Sequence, residues 1–332
     1  MFTLLTFFQN SPAKTQVKGV FISSRFKNHA QTIKKLKEWG VNTVILSKSL
    51  LTKELANKFR KEGIKVYAEL TVFQGDYLWR EYPQSRPVQA DGKPLNKIKW
   101  YAGICPNQNW LREKKLNEIK EITGLPVDGV FLDFIRYPCY WEVPEPRLDQ
   151  TCFCPVCLKK FADYTSLSYP RHTASVRSKA RWILEKHKKK WTDFKCRVIA
   201  EFLKECKVIL SKKNMLLGFF GVPWREEEKG GAIKNIVGQD YGLLSLYADI
   251  ISPMAYHRLC QKAPEWVGEI SSTIKGITKK EIWPIVEVEN IPFDEFQQVL
   301  NETKKGDGVI IFTLNKIQNT PNEKVFKEYT YQ

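Results

Sequence analysis

Short apolar runs alternate with longer amphipathic stretches along most of the chain. The first apolar run is Val17–Ser23 (VKGVFIS). An amphipathic helix over Asn28–Trp39 follows and stops at Gly40, as helices do where glycine takes the left-handed conformation. Asn42–Ser47 reads as a second strand, Lys53–Glu62 as a helix closed by Gly63, and Ile64–Phe73 as a third strand. Gln74–Asn107, rich in aromatics and proline, reads as an elaborated loop. A helix over Asn109–Ile122 leads into a fourth strand within VDGVFLDFIRYP (Val127–Pro138). A long insertion comes next. His172–Ser211 then forms one long helix or two, with Trp191, Phe194, Val198, Phe202 and Ile209 spaced to face the core. The pattern continues with strand Met215–Phe220, helix Tyr241–Tyr247, strand Asp249–Met254, helix Ala263–Ile274, strand Ile282–Glu289, helix Phe293–Thr303 and strand Gly308–Thr313.

Strands alternating with helices imply a parallel sheet. Eight such units with no Gly/Ser linker imply a closed (β/α)8 TIM barrel: one domain over 1–332, with an insertion over 139–213 after the fourth strand. An open doubly wound sheet is the alternative, but the Gly-rich phosphate fingerprint that it often carries is absent.

In VDGVFLDFIRYP, Val130, Leu132 and Phe134 would share one face and Phe131, Asp133 and Ile135 the other. Both faces are apolar, as in a strand buried on both sides. A carboxylate there is costly to bury unless it is paired or opens into a polar pocket. Asp133 is therefore either the partner of Arg136 or a turn cap, or an acid at the end of a barrel strand, where active sites of this fold sit.

Other polar residues fall at the same end. They are Ser24 and Arg25 after strand one, Glu69 on strand three, Trp100, Tyr101 and Asn107 before the fourth unit, and Arg136 and Tyr137 after the fourth strand. Trp224, Arg225, Glu226–Glu228, Gln239 and Asp240 follow strand five, Tyr256, His257 and Arg258 strand six, and Glu287, Glu289 and Asn290 strand seven. Carboxylates among aromatics suit a sugar, because glycoside hydrolysis generally uses two carboxylates and rings stack on sugar faces. Asp133 is expected to act as nucleophile or acid, with Glu287, Asp240 or Glu69 as the second carboxylate. Arg136, Tyr137, Asn107, Tyr256 and His257 would orient groups or bind hydroxyls, and Trp100, Tyr101 and Trp224 would stack on rings. Competing structural roles are an N-cap for Asp240 and pairing of Glu69 or Glu287 with Arg25 or Arg136. A carbohydrate-binding barrel without catalysis is the rival of a different class.

Composition narrows this further. A chain that is 43% hydrophobic and 13% aromatic buries a large core, and no apolar run approaches the ~20 residues of a membrane span. The opening MFTLLTFF lacks the basic flank and small-residue cleavage site of a signal peptide. The net charge is +17, and Arg171–Lys213 holds 14 Lys and Arg against 4 Asp and Glu. A solvated Lys-rich helix explains that segment most simply, and binding of nucleic acid or another polyanion is the alternative. Of eight cysteines, Cys152, Cys154 and Cys157 form C-x-C-x2-C. That spacing suits a structural zinc needing a fourth thiolate, from Cys139 or Cys105. Metal thiolates point to a reducing, cytoplasmic compartment. Cys196, Cys206 and Cys260 read as ordinary helix or strand-end residues, and no organic cofactor is expected.

In ICPN (Ile104–Asn107), VDGVFLDFIRYP, CFCPVC, GQDY (Gly238–Tyr241) and SPMAYHR (Ser252–Arg258) the chain resembles the uncharacterised glycosyl-hydrolase-like (β/α)8 barrel families. The resemblance runs from about Val17 to Thr313 and implies a hydrolase fold. The C-x-C-x2-C element is similar to the zinc site of the family 42 β-galactosidases. There the fourth cysteine lies well upstream, which by analogy favours Cys105.

Overall fold

The computed structural model describes residues 16–330, so the MFTLLTFF stretch lies outside the described residues. The strands are β1 (Val17–Ile22), β2 (Thr43–Ser47), β3 (Lys65–Thr71), β4 (Gly129–Asp133), β5 (Leu216–Gly221), β6 (Ile250–Pro253), β7 (Glu281–Ile282), β8 (Ile285–Glu287) and β9 (Gly308–Phe312). Every pairing between them is parallel. The expected strand Ile282–Glu289 is divided, because Pro284 has no N–H to give the ladder. Its first half pairs with β6, its second half with β9, and Met254 bridges to Ile285 between them. β7 and β8 together thus form the seventh of eight barrel strands and close the ring.

The helices are α1 (His29–Glu38), α2 (Lys53–Lys61), α3 (Asp76–Glu81), α4 (Asn109–Ile122), α5 (Pro155–Thr165), α6 (Val176–Lys186), α7 (Lys188–Ser211), α8 (Ala232–Asn235), α9 (Tyr241–Leu244), α10 (Glu265–Thr278), α11 (Phe293–Thr303), α12 (Leu314–Ile317) and α13 (Pro321–Glu328). Local caps set several boundaries. The Asn28 side chain accepts from Gln31 N, Thr52 accepts from Leu55 N, and Ser175 and Ser178 cap each other's backbone. The segment Gln74–Asn107 carries the short α3 rather than being loop throughout, and His172–Ser211 is two helices that meet at His187. On α7, Trp191, Phe194, Val198 and Phe202 are buried and Ile209 partly so, as their spacing requires.

Strand register puts alternate residues inside the barrel. Tyr67, Phe131, Phe220 and Trp283 fill it, with ring centroids 5.3–5.7 Å apart. Asp133 shares the inward face with Phe131, whereas Val130 and Leu132 face the helices. Gly218 makes room for this aromatic layer, since a Cβ there would stand 2.6 Å from the Phe131 ring. Gly218→Ala is expected to cost about 1–3 kcal/mol by overpacking. Urea unfolding measures it; an unchanged midpoint would mean that the layer yields freely.

Candidate active site

The inward face continues past the aromatic layer into a cavity of about 440 Å³ at the C-terminal ends of the strands. Its acids are Glu69, Asp133, Glu142, Glu287 and Glu289, and its rings include Trp100, Phe134 and Tyr256. The Phe21 and Phe312 rings, stacked at 5.8 Å, form part of the floor. Ser23, Ser47 and Thr71 supply hydroxyls. Period-two alternation accounts for the choice: Ser23, not Ser24, continues the inward face of β1.

Asp133 Oδ1 accepts the N–H of Phe134 at 2.7 Å. That tight turn holds Phe134 at φ 52°, a left-handed conformation rare for a bulky residue. The Arg136 guanidinium lies 4.6 Å over the Phe134 ring and 5.8 Å over that of Tyr101. Arg136 is 2% exposed, and its Nε and Nη1 have no hydrogen-bond partner. Burial pushes the Asp133 carboxyl above the usual range, while Arg136 and the Phe134 N–H oppose the shift. Glu142 is pushed up to about 7 by burial, against Arg136 and reinforced by the charge of Asp133. Glu69 is also pushed up to about 7, by burial first and the Asp133 charge second, although Thr71 Oγ1 donates to it at 2.8 Å. These neighbouring carboxyls thus resist being ionised together.

Glu287 has a different environment. Its Oε1 accepts the N–H of Arg258 at 2.7 Å and of Leu259 at 3.3 Å. His257 Nδ1 stands 3.6 Å from that oxygen, and its Nε2 is 2.7 Å from Glu295 Oε1. Arg258 holds Glu295 through two contacts of 2.6 Å, which keep that carboxyl down at about 2. Burial raises Glu287, and the two backbone N–H groups, His257 and Arg258 pull the other way. Glu289 is tied to Lys316 by an ion pair.

Several anticipated residues lie elsewhere. Asp240 caps α9, accepting Leu243 N at 3.2 Å and pairing with Lys234 at 3.0 Å, outside the cavity lining. Trp224 lines a separate cavity with Trp141 and Trp266. Tyr101 is buried, and its hydroxyl accepts the Cys139 N–H at 3.2 Å. Asn107 and Tyr137 are bonded to each other at 2.9 Å and lie on the thiol cluster, not at the mouth. His257 is fully buried and reaches the cavity only through Glu287. Neither Glu69 nor Glu287 pairs with Arg25 or Arg136. Glu142 escaped sequence reading because it falls in the irregular stretch after β4, where no periodicity marks an inward face. Its only signal was three consecutive residues of aromatic and acidic type, Tyr140–Glu142 (YWE), just past the strand end.

Apart from the cavity lining, Cys105, Cys152, Cys154 and Cys157 converge, all buried, with their sulfurs within 4.8 Å of one another. Cys105 is the fourth member. Cys139 is not, because the turn after Pro138 carries its thiol to the Arg147 carbonyl, 3.8 Å away. Four thiolates about 2.3 Å from a tetrahedral zinc would stand about 3.8 Å apart. Cys105 Sγ is 3.8 Å from Cys154 Sγ and 3.3 Å from Cys157 Sγ. Asn107 Nδ2 donates to Cys157 Sγ at 3.1 Å and Val88 N to Cys152 Sγ at 3.2 Å, as outer groups do for metal-bound sulfur. Burial holds Cys105 and Cys157 protonated, while hydrogen bonds from the other three thiols push Cys154 down. The donor set fits a tetrahedral metal ion. Among the described residues no helix is long and apolar enough to cross a membrane.

A family model described as "Putative glycosyl hydrolase domain" matches residues 27–264. No curated protein matches the chain in sequence. In fold it is similar to the glycoside hydrolase domain of PgaB (BpsB) from Bordetella bronchiseptica, with TM-score 0.73 and 12% identity over 95% of this chain and 98% of that one. It is similar to the β-galactosidase of the psychrophilic Marinomonas ef1 (TM-score 0.66, 10% identity, 94% of this chain and 58% of that one). The β-galactosidase of Bacillus circulans sp. alkalophilus gives TM-score 0.67 and 11% identity over 94% and 55%. The chain thus spans little more than half the length of these two β-galactosidases, and at such identities the likeness is one of fold.

Proposed function

Since the chain belongs to the family described as "Putative glycosyl hydrolase domain", we propose that it hydrolyses glycosidic bonds of an oligo- or polysaccharide in the carboxylate-lined cavity. One observation carries this reading: strand ends from opposite parts of the ring bring acids of contrasting environment into a single cavity. Asp133 and Glu142 crowd each other, so the pair keeps a proton that can pass to the leaving glycosidic oxygen. Burial raises Glu287, but two backbone N–H groups favour its ionised form, in which it would face the developing positive charge on the sugar. It acts either as nucleophile or as base for a water. Tyr256 feels the charges of Glu142, Asp133 and Glu287 and lines the same cavity, where its ring and hydroxyl would bind sugar. Trp100, 47% exposed, offers a stacking face at the mouth.

Reducing-end release from a panel of neutral and charged oligosaccharides tests this. Wild type is expected to cleave at least one, and Glu287→Gln to lose that cleavage. A wild type that binds glycans and cleaves none would make the barrel a binding module. The sign of the pH dependence follows from the donor pair. With Glu142 pushed up to about 7, the proton is present below that pH and lost above it. Activity should therefore fall on the alkaline side of about 7. A profile flat to pH 9 would remove the pair from the donor role.

We also propose that the four-cysteine site holds zinc. Cys105, Cys152, Cys154 and Cys157 would be its ligands; when bound, the ion would neutralise thiolate charge and cross-link the chain. Cys105 precedes α4 and the other three lie around the start of α5, so the knot ties the segment after β4 to the loop before α4, beside Asp133. Thiolates that must stay reduced fit a cytoplasmic chain.

A further inference from the structure

The segment after β4 lines more than the acid cavity. Three successive residues line three cavities: Tyr140 one of about 480 Å³, Trp141 one of about 410 Å³, and Glu142 the acid cavity. The two outer cavities adjoin, since Val143, Pro144 and Gln261 line both. Aromatic rings lead from the centre into each. Trp100, on the wall of the acid cavity, stands edge-on to Tyr140 with centroids 5.8 Å apart. Tyr256, on the same wall, stacks on Trp141 at 6.0 Å and 16°.

Charge divides along the same lines. The centre holds Glu69, Asp133, Glu142 and Glu287 besides the Lys316–Glu289 pair. Each outer cavity has two cations against one carboxylate: Lys99 and Arg147 with Glu145, and Lys229 and Lys262 with Glu228. Arg147 is taken by Asp149 at 3.0 Å, and Lys262 reaches Glu228 at 3.8 Å. Lys99 and Lys229 differ from these. Their ammonium groups rest over the rings of Tyr140, at 5.8 Å, and Trp224, at 5.6 Å. Among the described residues neither has a carboxylate within salt-bridge range. Both have left-handed backbone, φ 52° and 51°, which lysine seldom adopts. An ammonium that rests on a ring and lacks a counter-charge keeps its outer side free for an anion.

We propose that the two outer cavities are sugar subsites and that the substrate is an acidic polysaccharide. Its carboxylate- or sulfate-bearing residues would be held at Lys99 and Lys229, with an uncharged sugar among the central acids. The central carboxylates repel an anionic residue, so the same charges that attract the chain also set its register. The proposal rests on the hydrolytic reading for the central cavity, but affinity tests it independently of turnover.

The probes are hyaluronan decasaccharides, in which acidic and neutral sugars alternate, and chondroitin sulfate decasaccharides, in which the hexosamine carries sulfate as well, with their carboxyl-reduced and desulfated counterparts. Binding to the intact chain is followed by calorimetry. At least one acidic probe should bind about tenfold or more tightly than its neutralised form, and the advantage should shrink as salt rises. Loss on carboxyl reduction identifies a carboxylate as the anchor, and loss on desulfation a sulfate. Lys99→Gln/Lys229→Gln, two exposed substitutions, should abolish the advantage. Lys188→Gln/Lys190→Gln, at the exposed start of α7, should leave it. Equal affinity for neutralised probes, no binding of any probe, or a loss that follows the α7 variant instead would overturn the proposal. Lysine-dependent binding without cleavage would count against the hydrolytic reading and leave the subsites standing.

Discussion

Asp133→Asn is expected to lower kcat for glycoside hydrolysis by about 10²–10⁴-fold, the usual contribution of a positioned acid or base, with little change in KM. The inward face of β4 delivers Asp133 to the cavity, where it sets the protonation of its neighbours. Burial raises Glu69 and Glu142 and the Asp133 charge adds to it, while Arg136, over the Phe134 ring, opposes the shift at Glu142. Asparagine keeps the shape and can still accept the Phe134 N–H, so the fold should survive. What is lost is the charge that adds to burial in raising Glu142, and the alkaline limb of the pH profile should move down. A loss of activity accompanied by a fall in Tm of many degrees would point to a structural role instead.

Cys105→Ser is expected to empty the thiolate site and destabilise the chain by on the order of 3–5 kcal/mol, the large end for one substitution, where loss of a metal falls. For a chain of this length that corresponds to roughly 4–7 °C in Tm. Cys105 comes from the loop before α4 and the other three from around the start of α5, so without it the knot no longer spans two segments. Cys139→Ser is the matched control, because that thiol reaches only a carbonyl. Metal analysis of protein purified without added metal should give about one zinc per chain for wild type and Cys139→Ser and none for Cys105→Ser. A metal-free wild type of full stability would exclude a structural ion.

Much of this was legible in the sequence because local rules act there. The barrel followed from alternation, α1 and α2 from amphipathic patterning and their glycine stops, and Asp133 from a carboxylate closing an apolar strand. Glu69 and Glu287 were legible for the same reason, since parity along a strand decides what faces inward. Legibility stopped where tertiary contacts take over. Asp240 and Trp224 follow β5 at the correct end, yet the loop turns one into a cap and the other into the wall of an outer cavity. Asn107 and Tyr137 lie within motifs, yet Asn107 donates to Cys157 and to the Tyr137 hydroxyl, so neither faces solvent. Glu142 sits in an irregular turn, which no period describes. The Cys105–Cys139 ambiguity was one of distance in space, and only the path of the chain after Pro138 resolves it.

The most direct test of the central claim measures kcat/KM for wild type, Asp133→Asn, Glu287→Gln and the double variant on one cleaved oligosaccharide. If the two carboxylates act as a unit, each single change removes about as much as both together, and the double variant is scarcely worse than the poorer single. Two small losses that multiply in the double variant, or single variants that keep wild-type rates, would contradict hydrolysis by this pair.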